Sequence, residues 1–154
     1  MANKQKNTKK KTVTTKHTHA ATTYTGVLDI AKSGMGFVIV KGLENDILVF
    51  PNDFNTALRG DEVRIKITKI RQGSGKKEGK VLEIIKRKQV AFSGTMQVTN
   101  KHAFFIPNTV FPMPDIYIPI KYLNNAKDKD NVLVELVSWE NANRKPEGRV
   151  LEIF

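Results

Sequence analysis

The second half of this chain repeats the first, segment by segment, at an offset of 68 or 69 residues. Tyr24-Thr25-Gly26-Val27-Leu28 recurs as Phe92-Ser93-Gly94-Thr95-Met96, and Phe37-Val38 as Phe105-Ile106. Asp46-Ile47-Leu48-Val49 returns as Asp115-Ile116-Tyr117-Ile118, and Glu78-Gly79-Lys80-Val81-Leu82-Glu83-Ile84 as Glu147-Gly148-Arg149-Val150-Leu151-Glu152-Ile153. Solenoid units run about 20–50 residues, so a period this long specifies two copies of one small domain. It divides the 154 residues into a tail (1–23), a first module (24–88) and a second module (89–154). Modules of this size bury only about 60% of their unfolded surface, so each is marginal alone and the two are expected to touch.

Charge is distributed unevenly between these parts. The tail carries Lys4, Lys6, Lys9, Lys10, Lys11 and Lys16 with no acid; the first module has 13 basic against 8 acidic residues, the second 7 against 7. A field concentrated at one end suits a polyanion, either nucleic acid or an anionic membrane surface. The chain has no cysteine, which excludes disulfides and thiolate chemistry. Its start lacks the apolar core of a signal peptide, and no apolar run approaches the ~18 residues that span a bilayer. A cytoplasmic, monomeric protein that does not engage membranes is expected.

Residues 1–23 are rich in Lys, Thr, Asn and Gln, a composition that cannot offset the entropy of ordering, and are expected to be a disordered tail. Beyond them, short alternating segments dominate. Val63, Ile65 and Ile67 alternate with Arg64, Lys66 and Thr68, the period of a strand with one wet face. Strands are predicted near 24–31, 35–41, 46–50, 62–70 and 78–86, then 91–98, 103–107, 115–118, 131–138 and 147–153, with single helical turns at 53–58 and 121–126. The fold class is all-β: two tandem five-stranded OB-fold barrels after a basic tail. Such barrels bind oligonucleotides or oligosaccharides on the face of strands 2 and 3.

Ser33-Gly34-Met35-Gly36-Phe37-Val38 is the segment most suggestive of binding. In a strand, Met35 and Phe37 share a face that the flanking glycines leave uncrowded, with Lys32 just before it. Leu48 and Phe50 share one face of the next strand. If the strands pair, these four side chains form an apolar patch on which bases can stack, at about 1–3 kcal/mol per base.

Ser33 to Val38 resembles the first ribonucleoprotein motif of cold-shock domains, Lys-Gly-Phe-Gly-Phe-Val, and Ile47-Leu48-Val49-Phe50 resembles the second, Val-Phe-Val-His. The tandem is similar to the amino-terminal region of the ribonuclease R branch of the ribonuclease II family, 3′-to-5′ exoribonucleases in which two cold-shock domains precede the catalytic domain. Ala57-Leu58-Arg59-Gly60-Asp61-Glu62-Val63 resembles that family's Ala-Leu-x-Gly-Asp-x-Val turn, and Ser138-Trp139 with Lys145-Pro146-Glu147-Gly148-Arg149-Val150 the end of its second cold-shock domain. The resemblance implies single-stranded RNA as partner, with Lys32, Met35, Phe37, Leu48, Phe50, Arg64 and Lys66 as contacts in the first module and Lys101, His102, Phe105 and Tyr117 in the second. Departures from the pattern are Met35 and Leu48 where the family has aromatics, Ala103 and Pro119 at the positions matching Met35 and Phe50, and Lys129 in place of Gly60.

Other chemistry fails on spacing. Gly-Ser-Gly-Lys at 73–76 lacks the glycine five residues before Gly75 that a phosphate-binding loop needs, since Ile70 stands there. His17 and His19 have no partner ligands, and Asp46 and Asp115 precede strands as turn residues. Nothing matches the family's metal-holding aspartate cluster, so the chain is expected to be no enzyme and to hold no cofactor. The parent enzyme, with its magnesium, would continue past Phe154 into a catalytic domain of the same polypeptide. The alternatives are a free-standing tandem cold-shock RNA chaperone and a docking or membrane-anchoring module.

Overall fold

The computed structural model describes residues 22–154. The expectation of a disordered tail concerns residues that lie outside these, save for two assigned to the tail: Thr22, whose carbonyl accepts from the Ile67 N–H, and Thr23, which opens the first strand. The first module contains β1 (Thr23–Ile30), β2 (Gly36–Ile39), β3 (Ile47–Val49), β4 (Glu62–Ile70) and β5 (Lys77–Lys86). The second contains β6 (Ala91–Val98), β7 (Ala103–Pro107), β8 (Ile116–Tyr117), β9 (Asn131–Ser138) and β10 (Glu147–Ile153). Each set closes into a barrel, in the order β1-β2-β3-β5-β4 and, correspondingly, β6-β7-β8-β10-β9. Closure is antiparallel throughout except where β3 meets β5 and β8 meets β10 in parallel.

Period-2 alternation turns directly into burial. Val63, Ile65 and Ile67 of β4 fill the first barrel beside Leu28, Val38, Ile47 and Val49, while Arg64 and Lys66 point outward. Phe105, Met96, Ile116, Ile118, Val132 and Val134 fill the second.

The helical turns expected at 53–58 and 121–126 are instead three-residue 3-10 turns at Pro51–Asp53 and Ile120–Tyr122. Pro51 presets the backbone for the first of them. The positive φ of Asn55 (58°) and of Asn124 and Asn125 (52° and 64°) reverses the chain before an α-turn can form.

Gly60 and Lys129 hold the same left-handed position in the two copies, at φ 92° and 70°. Each donates its N–H into the first strand of its barrel, Gly60 to the Leu28 carbonyl and Lys129 to that of Met96. A lysine there carries a backbone cost of about 1 kcal/mol that glycine avoids.

The two barrels touch. Leu58, from the β3–β4 connection of the first, is buried with the core cluster of the second. Asp61, 1% exposed, gathers the linker beneath it. Its carboxylate accepts from the Arg87 guanidinium at 2.7 Å, from the Lys88 N–H at 3.1 Å and from the Leu58 N–H at 2.8 Å. Arg87 also donates to the Thr56 carbonyl. Further along the seam the Arg59 guanidinium lies 3.7 Å from the centre of the Phe111 ring.

Candidate nucleic-acid interface

Strand pairing sets four outward positions in one row across each barrel. In the first the row runs Asp29, Phe37, Leu48, Glu78, each opposite the next on β1, β2, β3 and β5. In the second it runs Gln97, Phe104, Tyr117, Glu147 on β6, β7, β8 and β10. Two aromatic or apolar side chains thus form the middle of each row, with polar groups at its ends.

In the first barrel Met35, Phe37 and Leu48 are half-buried and Phe50 is exposed, all on the outer side. Gly36, however, does not serve to uncrowd that side. A Cβ there would point inward to 2.5 Å from the Phe54 ring, so the glycine lets that ring close the barrel end. Lys32 is exposed in the hairpin turn just before Met35. Arg64 and Lys66 lie elsewhere: Arg64 faces Thr25 and is ion-paired to Glu83 at 2.6 Å, while Lys66 faces Thr23 and Lys80 on the β1–β4–β5 wall. The cations the fold does bring beside Phe50 and Glu78 are Lys69 and Arg71, which sequence reasoning missed.

In the second barrel the expected Phe105 is a core residue, 0% exposed, and cannot stack on a ligand. Phe104 takes its place. The cause is the β6–β7 hairpin, Thr99 to His102, which is one residue shorter than the β1–β2 hairpin, Ala31 to Met35, so the offset of 68 that matches Phe37 to Phe105 is off by one here. A one-residue shift exchanges the two faces of a strand. The structural counterpart of Met35 is therefore His102 and not Ala103, which is buried.

Three rings consequently form a run on the second barrel. His102 and Phe104 have centroids 6.1 Å apart, and Phe104 and Tyr117 5.6 Å, both tilted. Lys145 places its Nζ 5.6 Å from the Phe104 centroid, and with Arg144 and Glu147 it completes a shallow open depression over the rings. Lys101 is exposed in the hairpin beside them. This module is neutral in total, yet it concentrates aromatic surface and two cations at one spot. Arg144, Lys145 and Glu147 come from the β9–β10 connection and the start of β10, brought in by the long-range parallel pairing to β8. Among the described residues no group of three His, Cys, Asp or Glu side chains is arranged to hold a metal, and no helix is long and apolar enough to cross a membrane.

Two closed five-stranded barrels with these rows define a tandem OB-fold pair. The model of the Ribonuclease B OB domain family matches residues 26–84, in the first barrel, and that of the Cold shock domain family matches residues 104–154, in the second. In tandem the two barrels resemble the amino-terminal barrel pair of ribonuclease R. Ribonuclease R of Thermotoga maritima is 24% identical over 130 residues, covering 84% of this chain and 18% of the relative, and that of Aquifex aeolicus 23% over the same length and shares. The chain thus spans about a fifth of the length of the curated relatives it matches. Among solved structures, Mycoplasma genitalium RNase R in complex with ribose methylated single-stranded RNA superposes with a TM-score of 0.73 at 16% identity, over 84% of this chain and 21% of that one. Yeast Ssd1, a pseudonuclease, superposes with a TM-score of 0.69 at 18% identity, over 90% and 23%. At such identities the likeness establishes the fold.

Proposed function

We propose that the chain binds single-stranded RNA along the outer rows of both barrels and, within a longer polypeptide of the ribonuclease R kind, guides it toward a metal-dependent 3′-to-5′ exonuclease domain. The observation that carries this reading is the run His102, Phe104, Tyr117 with Lys145 above it. Exposed rings at stacking distance beside cations accept unpaired bases of any sequence while the cations hold the backbone. A duplex offers no such base faces. The excess of lysines in the tail and first module supplies attraction that acts before contact. Chemistry at the phosphate, with the magnesium it needs, belongs in this reading to the domain that receives the strand.

Titration of a labelled single-stranded oligonucleotide, with an RNA hairpin as competitor, tests the proposal. Single-stranded RNA should bind in preference to the hairpin. Phe104→Ala should weaken binding by about 1–3 kcal/mol, the contribution of one stacked base, without lowering the unfolding midpoint. Equal affinity for duplex, or a Phe104→Ala protein that binds as well as the parent, would reject it.

A further inference from the structure

The ends of the two rows differ in a way the shared fold does not require. In the first barrel both end carboxylates are neutralised: Asp29 by Arg59 at 3.0 Å, and Glu78 by Arg71 at 2.6 Å. In the second, the counterpart of Asp29 is the uncharged Gln97, and the Glu147 carboxylate, at the position of Glu78, makes no hydrogen bond or ion pair among the described residues. Its carboxylate lines the depression over Phe104 and Tyr117. That carboxylate is solvent-exposed at the edge of the stacking rings, free to accept hydrogen bonds from a base lying on them.

We propose that Glu147 makes the second barrel selective for guanine. The inference rests on the RNA-binding reading above and names the base that the second row takes. A base lying on Phe104 and Tyr117 turns its edges to the rim of the depression, where Lys145, at the end of the β9–β10 connection, and Glu147, the first residue of β10, stand two residues apart. Guanine alone among the four bases presents two adjacent donors, N1–H and N2–H₂, which match the two oxygens of a carboxylate. Its O6 and N7 acceptors match a lysine. Adenine and cytosine offer one amino donor next to a ring-nitrogen acceptor that repels the second oxygen. Uracil offers one N–H between two carbonyls. The first barrel, whose Glu78 is already occupied by Arg71, carries no such preference.

Fluorescence anisotropy of the full chain against a short oligouridine, and against the same oligomer with one central guanosine, inosine or adenosine, tests this. The guanosine oligomer should bind at least about fivefold more tightly than oligouridine, the low end of a bidentate base contact. Inosine, which lacks the N2 amino group, should fall between them. Adenosine should not match guanosine, which separates donor recognition from purine stacking. Glu147→Gln should abolish the preference, so that the guanosine and uridine oligomers bind alike. A guanosine preference that survives Glu147→Gln, a parent protein with no preference, or a uniform loss on all oligomers would overturn the inference while leaving RNA binding intact. A parent protein that bound none of the oligomers would reject the RNA-binding reading itself.

Discussion

Phe104 and Phe105 are neighbours in sequence with opposite roles, one half-buried on the outer row and the other sealed in the core. Phe105→Ala should remove about 3–5 kcal/mol of stability through the cavity it leaves, read as a fall in the urea midpoint. It should change RNA affinity only as far as the barrel unfolds. If instead binding fell with the midpoint unchanged, the assignment of faces would be reversed. The repeat in the sequence identified the strand and that one of these rings faces out. It could not say which, because the answer depends on the length of the preceding hairpin. The outward placement of Met35, Phe37, Leu48 and Phe50 was readable because they alternate with Gly36, Val38, Ile47 and Val49, which are buried. Glu147 and Lys145 were not: only the pairing of β10 with β8 brings them to the rings, and no local pattern announces a parallel contact.

Strands as elements were legible almost to the residue, since the barrel-forming part of each long strand buries alternate side chains and exposes the rest. What alternation leaves open is which way around the barrel an outward side chain looks. Arg64 and Lys66 are outward, as their pattern says, but on the wall away from Phe37 and Leu48. The connection between barrels is a second element whose rigidity is absent from the sequence pattern. Gly60-Asp61 reads as a turn, whereas Asp61 in fact closes over the linker through Arg87 and Lys88. Asp61→Ala leaves the N–H groups of Leu58 and Lys88 without their acceptor and the Arg87 guanidinium without its carboxylate, with only the Thr56 carbonyl remaining to it. It should therefore destabilise the protein by about 3 kcal/mol, far above the cost of losing a surface ion pair such as Arg64–Glu83. Chemical denaturation checks this, and a shift under about 0.5 kcal/mol would show that the carboxylate is not the organising group.

At the scale of the molecule, charge and aromatic surface are divided between the barrels. The first module and tail hold the excess of lysine and arginine, while the second holds the ring run. If the basic part neutralises about five phosphates, log affinity for single-stranded RNA should fall with log salt at a slope near −3.5, from about 0.7 per contact. Phe104→Ala should lower the line without changing its slope, because stacking releases no counterions. A flat line for the parent protein would contradict the electrostatic half of the picture.

The duplicated sequence suggests two self-sufficient units, but Leu58 crosses that boundary: chain that belongs to the first barrel completes the interior of the second. Cutting between them therefore removes a filling side chain as well as a neighbour. The carboxy-terminal piece would begin life with a leucine-sized hole where its lid should be. Autonomy in this pair is thus one-sided: the second barrel borrows a side chain from the first, whose own interior borrows none in return.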